Sequence, residues 1–213
     1  MKKFEGIIFD IDGTLTATNE LIFATFNHVT KKYLDRTYTP DEITKFFGPT
    51  EDVIIKELMK DKYEEAMKDY HDFYESNHDK MVHAYDGIVE LVKELNQNDI
   101  RLSIYTGKGR KTSETTLKQI GLYDYFDMIV TGDDIKDHKP SPEGIEKFID
   151  QFDLPRDKVL MIGDAPADIK AARASGIKIA SVLWDSYAKD KVLAMSSDYY
   201  FNSVDELRSF LID

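Results

Sequence analysis

Phe4 to Phe9 is a short apolar run that stops abruptly at Asp10-Ile11-Asp12-Gly13, the pattern of a buried strand entering a loop. The following seventy residues change character. From Leu21 to His78 apolar residues recur at helical spacing, as at Ile22, Phe23, Phe26, Val29 and Tyr33 and again at Val53, Ile54 and Leu58, with no strand-like run. Thr39-Pro40-Asp41-Glu42 supplies a cap, a proline at the first helical position and a Glu three residues after the cap, and Gly48-Pro49 stops that helix.

After Tyr85-Asp86-Gly87 helices and strands alternate. A helix carrying Ile88, Leu91, Val92 and Leu95 precedes a strand at Leu102 to Tyr105, and a helix ending at Gly121 precedes a strand at Met128 to Val130. Ser141-Pro142-Glu143 opens a helix before the strand Val159 to Ile162, and a helix from Ile169 to Ser175, closed by Gly176, leads to the strand Ile177 to Leu183. Ser203 with Glu206 makes a capping box for a last helix. Strands separated by helices of this length call for a parallel sheet covered on both faces. The expected fold is α/β: a Rossmann-like parallel sheet core from residues 1–15 and 85–213, with an inserted all-helical cap domain at 16–84.

Composition narrows the function classes. The 213 residues contain 40 Asp and Glu against 28 Lys and Arg, a net charge of −12, which opposes nucleic-acid backbones and anionic membranes. Any anionic substrate must therefore be held by a few local cations or a metal. Cysteine is absent, excluding disulfides and thiolate chemistry. Acidic residues interrupt the first apolar stretch too early for a secretory signal, and no run reaches the ~18 residues of a membrane span. A cytoplasmic protein, a monomer or homodimer binding neither nucleic acid nor membrane, is expected.

In open parallel sheets ligands bind beyond the carboxyl ends of the strands. Those ends carry Asp10-Ile11-Asp12-Gly13-Thr14, Thr106-Gly107, Thr131-Gly132-Asp133 ahead of Lys139-Pro140, and Gly163-Asp164 followed by Asp168. Singly, each has an ordinary structural reading: an Asx turn at the paired aspartates, a helix cap at Thr106 or Asp164, a solvated lysine at 139. Four ends delivering carboxylates, a hydroxyl and a cation to one edge make a catalytic site the better reading. Gly107-Lys108-Gly109-Arg110-Lys111-Thr112 is not a nucleotide loop, because Arg110 stands where a P-loop needs glycine. Lys108 and Arg110 read as solvated charges at a helix start.

The chain resembles the haloacid dehalogenase-like hydrolase superfamily, whose four motifs match Asp10-Ile11-Asp12-Gly13-Thr14, Thr106, Lys139 and Gly163-Asp164-Ala165-Pro166-Ala167-Asp168 in order. Tyr125-Phe126-Asp127 and Lys139-Pro140-Ser141-Pro142-Glu143 are similar to phrases of its phosphoglycolate phosphatase and pyrophosphatase branch, in which a helical cap occupies the position of the insert. Ala17, where the opening motif usually continues with Asp, and Asp86, where Pro is usual, depart from that pattern.

An ionised carboxylate needs no base to act as a nucleophile, so Asp10 can attack phosphorus and become an aspartyl phosphate. Asp12 can protonate the leaving oxygen and later activate water, since a neighbouring like charge raises one carboxyl pKa of such a pair. Asp10, Asp164 and the backbone carbonyl of Asp12 offer the oxygen ligands Mg2+ prefers, with Asp168 as outer support. Thr106, Gly107 and nearby backbone N–H groups would hold phosphoryl oxygens, while Lys139 offsets growing charge. In the cap, Thr50 would cap a helix whose N-terminus faces the substrate, beside Glu51.

The activity this implies is magnesium-dependent hydrolysis of a small phosphorylated metabolite such as phosphoglycolate, pyrophosphate or a sugar phosphate. By the family pattern, Asp12 argues against dehalogenase and phosphonatase chemistry. A phosphomutase of the same fold and a non-catalytic phosphate-binding module are the alternatives.

Overall fold

The computed structural model describes residues 3–186 and 188–212. The chain enters through β1 (Gly6–Phe9) and leaves the sheet for α1 (Asn19–Leu34), α2 (Pro40–Ile43), α3 (Glu51–Met59) and α4 (Tyr63–Met81). It returns through α5 (Ile88–Gln97), β2 (Arg101–Tyr105), α6 (Arg110–Gln119) and β3 (Met128–Val130). Then follow α7 (Glu143–Phe152), β4 (Val159–Gly163), α8 (Pro166–Ala174), β5 (Lys178–Val182), α9 (Lys189–Leu193), β6 (Tyr199–Phe201) and α10 (Val204–Ile212). Every strand pair is parallel, in the order β3-β2-β1-β4-β5-β6, so β1 is flanked by β2 and β4 with Ile7 level with Leu102 and Leu160.

The alternation of side chains along a strand explains the two layers. Ile7 and Phe9 join one apolar cluster with Leu91, Leu95, Leu117 and Leu207, from α5, α6 and α10. Ile8 points the other way, into a cluster with Phe148, Ile149, Ile169 and Val192 from α7, α8 and α9. Gly6 allows close approach here, because a Cβ on it would lie 2.6 Å from Leu154 Cδ1. β6, three residues long, is an element the sequence pattern did not reveal.

The four helices of the insert bury a cluster of their own, including Leu21, Phe26, Val29, Ile55, Tyr70 and Tyr74. Phe26 meets Tyr70 edge-on at 5.3 Å, so α1 and α4 are locked by aromatic packing. The box at Thr39 forms in both directions: its hydroxyl accepts from the Glu42 N–H and the Glu42 carboxylate accepts from the Thr39 N–H at 2.8 Å. The helix it opens is one turn long. It tightens into a 3-10 turn at Thr44–Phe46 and ends at Phe47, with Gly48 at φ +136°.

Candidate active site

Because all strands run the same way, their carboxyl ends deliver the loops after β1, β2, β3 and β4 to one edge, beneath the helical insert. Between the two lies a cavity of about 790 Å3 whose lining includes Asp10, Asp12, Thr106, Gly107, Lys139 and Asp164. These residues singled out from sequence are therefore brought together, with Glu51 also in the lining, while Thr50 and Asp168 are not among the lining residues.

Lys139 organises the carboxylates at the strand-end side of the cavity. Its side chain is 8% exposed, and its Nζ stands 3.0 Å from Asp10 Oδ1 and 2.6 Å from Asp168 Oδ1. Burial alone would lower the pKa of this ammonium, but Asp10 and Asp168 outweigh it and hold the proton firmly. Asp168 is wholly buried rather than on an exposed helix face. Its second oxygen accepts the Ala165 N–H at 3.0 Å at the start of α8, so helix capping and lysine positioning share one carboxylate.

Burial pushes the Asp10 carboxyl up to about 6 despite the pull of Lys139 in the other direction. Asp164 is raised well above the ordinary carboxyl range, first by burial and then by the charges of Asp10 and Asp168. One oxygen from each of Asp10, Asp164 and Asp168 falls within 4.8 Å of the other two. Both oxygens of Asp168 are already engaged and Asp10 Oδ1 faces the Lys139 ammonium, whereas Asp164 Oδ1 takes only a long hydrogen bond, 3.4 Å, from the Thr14 hydroxyl. An all-oxygen donor set of this kind, with the buried Asp164 carboxylate under-satisfied, fits Mg2+. Gly13, at φ +79°, keeps the loop tight against it; a Cβ there would meet Asp164 Oδ2 at 2.5 Å.

Asp12 is held separately. Its Oδ1 accepts from the Thr18 hydroxyl, and Lys108 Nζ lies 3.2 Å from Oδ1 and 3.3 Å from Oδ2. The sequence reading left Lys108 as a solvated charge, but its side chain is only 5% exposed, with the ammonium 4.7 Å over the ring of Tyr74 on α4. Burial lowers its pKa and the charge of Asp12 more than restores it. The sequence carried one usable signal, a lysine two residues beyond Thr106 at a strand end; the aromatic that covers it lies on a distant helix. Arg110 is also engaged, its Nε donating to Asp134 at 3.3 Å. Thr106 is buried, and its hydroxyl accepts the Lys108 N–H at 3.3 Å.

The insert is seated on these loops. Glu51, the first residue of α3, accepts the Gly109 N–H at 2.8 Å and the Thr112 hydroxyl. Thr50 precedes α3 but makes no side-chain capping bond. It packs into a seam instead, its methyl occupying the space a Cβ on Gly132 would need, at 2.4 Å. Tyr74 and His78 reach the hydroxyl of Thr116 on α6 at 2.9 and 3.2 Å.

Comparisons with known proteins agree with this architecture. Residues 7–182 match the family model described as haloacid dehalogenase-like hydrolase. The chain is 33% identical over 211 residues to the pyrophosphatase PpaX of Bacillus thuringiensis, covering 99% of this chain and 98% of that one. In fold it is similar to a predicted phosphoglycolate phosphatase of Haemophilus somnus (TM-score 0.88, 19% identity, 99% of each chain). It is likewise similar to CbbY of Rhodobacter sphaeroides, solved with phosphate (TM-score 0.81, 21% identity, 96% of each chain). The chain belongs to the haloacid dehalogenase-like hydrolase family.

Proposed function

We propose that this protein is a magnesium-dependent phosphatase of small phosphorylated metabolites that works through a phosphoryl group on Asp10, with residues 1–15 and 85–213 as catalytic core and 16–84 as cap domain. The observation that carries the reading is the buried ammonium of Lys139 bridging Asp10 and Asp168 at 3.0 and 2.6 Å beneath a covered cavity. A structural salt bridge has no reason to sit at the mouth of four strand ends; a phosphoryl-transfer site does.

The Asp10 carboxylate attacks phosphorus, and the bond from phosphorus to the leaving oxygen breaks as that oxygen takes a proton from Asp12. Water then attacks the phosphorus, giving its proton to Asp12, and the Asp10–phosphorus bond breaks to release inorganic phosphate. Lys139 offsets the charge that builds on the phosphoryl oxygens, and Thr106 with the backbone of Gly107 orients them. Asp10 and Asp164 would hold Mg2+, whose bound charge draws the phosphoryl oxygens in and favours the ionised form of Asp10. The insert excludes water from the first step.

Hydrolysis of p-nitrophenyl phosphate by the purified protein, with and without a chelator, tests the proposal. Turnover should need Mg2+ and vanish in Asp10→Asn while the circular dichroism spectrum is kept. Full activity in either the chelated protein or the variant would exclude the mechanism. Among the described residues no helix is long and apolar enough to cross a membrane.

A further inference from the structure

The phosphate end accounts for only part of the cavity. Its volume, about 790 Å3, lies in the upper part of the 300–1,000 Å3 range of pockets that take whole organic ligands. The remainder is walled by the insert, and that wall is mainly apolar: Ile22 and Phe26 from α1, Phe47 and Pro49 from the connection to α3, Ile54 from α3 and Tyr70 from α4. Phe47 is a large apolar residue left 45% exposed, and its ring lies nearly parallel to that of Phe23, at 15° and 6.5 Å between centroids. An aromatic face is thus presented beside the chamber with its back supported.

Charge on the rest of the lining is balanced and gives no preference for a second anionic group. Apart from Asp10, Asp12, Asp164, Lys108 and Lys139, the lining carries Asp41, Glu51 and Lys45 from the insert and Lys191 from α9, two carboxylates against two ammonium groups. The core's Lys108 and Lys139 are already ion-paired to Asp12, Asp10 and Asp168. A leaving group the size of a phosphate or a short carboxylate would give up water while leaving most of the apolar wall of this cavity, about 790 Å3 in all, without a partner, which disfavours it. A ring would gain contact with the wall, and remote binding of that kind is what an enzyme converts into rate.

We infer that the leaving group is an alcohol bearing an aromatic or heteroaromatic ring, so that the substrate class is ring-bearing phosphomonoesters rather than pyrophosphate or phosphoglycolate. This rests on the phosphatase reading and goes beyond it by naming the group that fills the insert side of the cavity. It also parts from the activity in the name of the pyrophosphatase relative.

The test compares kcat/KM, by phosphate release with Mg2+, for adenosine 5′-monophosphate, pyridoxal 5′-phosphate and riboflavin 5′-phosphate against glycerol 3-phosphate, phosphoglycolate and pyrophosphate. The organic esters all expel a primary alkoxide, so they differ in what the insert touches. At least one ring ester should exceed pyrophosphate and phosphoglycolate by about tenfold or more, the discrimination a few apolar contacts provide. Phe47→Ala should lower the ratio of ring-ester to phosphoglycolate kcat/KM by about tenfold, and Phe47→Trp should restore it. Pyrophosphate or phosphoglycolate as the best substrate, or a ratio unmoved by Phe47→Ala, would overturn the inference while leaving the phosphatase reading intact. No turnover of any ester, p-nitrophenyl phosphate included, would overturn the phosphatase reading and this inference with it.

Discussion

Lys108 Nζ sits 3.2 and 3.3 Å from the two oxygens of Asp12 and is roofed by the ring of Tyr74, a residue of the helical insert. The carboxylate proposed to move protons is therefore oriented by a lysine of the core whose own burial depends on the insert. This links the seating of the insert to the state of the site.

Lys108→Met should separate that orienting role from folding. The methionine keeps most of the apolar stem, and Asp12, about a quarter exposed, can be hydrated, so stability should change by no more than about 1 kcal/mol. Turnover of alkyl phosphates should fall by about 100-fold, the scale of a displaced general acid. Turnover of p-nitrophenyl phosphate, whose leaving group needs little protonation, should fall less. Equal losses on both ester types would assign Lys108 to phosphate binding instead.

Lys139→Ala should lower both rate and stability. Its ammonium is buried between the carboxylates of Asp10 and Asp168. Removing the shared cation leaves two buried carboxylates uncompensated, at a cost of about 3 kcal/mol. Chemical denaturation read beside turnover checks this, and an unchanged midpoint would show that solvent reaches those carboxylates freely.

The pH dependence of the metal-free protein should carry the sign opposite to that of a salt-bridged carboxylate. Burial raises Asp10 from 3.8 to about 6 in the folded state, so between those values the folded form binds more protons than the unfolded one. Stability from this group is then full below about pH 4 and is lost as pH rises through about 6. Asp10→Asn removes the loss and should stabilise the metal-free protein by about 3 kcal/mol at pH 8, two pK units at 1.36 kcal/mol each, with little effect at pH 4. Added Mg2+ should narrow the gap at pH 8 by stabilising the wild type. A variant less stable than wild type at pH 8 without metal would contradict the sign.

Glu51→Ala should loosen the insert without touching the phosphate end. It strands the buried Gly109 N–H, while the Thr112 hydroxyl keeps only the Gly109 carbonyl at 3.2 Å, at about 1–3 kcal/mol. KM should rise more than kcat falls, because the contact holds the insert against the core rather than meeting the phosphoryl group. A loss confined to kcat would place Glu51 in the chemistry.

The sequence alone determined the parallel sheet, the helical insert and the strand-end residues of the cavity. Strand runs such as Phe4 to Phe9 and helical repeats such as Ile88, Leu91, Val92 and Leu95 are local patterns, and local patterns fix which backbone geometry buries which side chain. The strand-end residues followed because parallel topology sends every carboxyl end to one edge. Only the tertiary structure decided that Lys108 is buried against Asp12, that Thr50 fills the seam at Gly132 rather than the cavity, and that one carboxylate of Asp168 serves both the Ala165 N–H and Lys139. Each of these depends on pairs far apart in the chain. Whether a charge is solvated or paired is set by the neighbour that covers it, and no periodicity along the sequence records that neighbour.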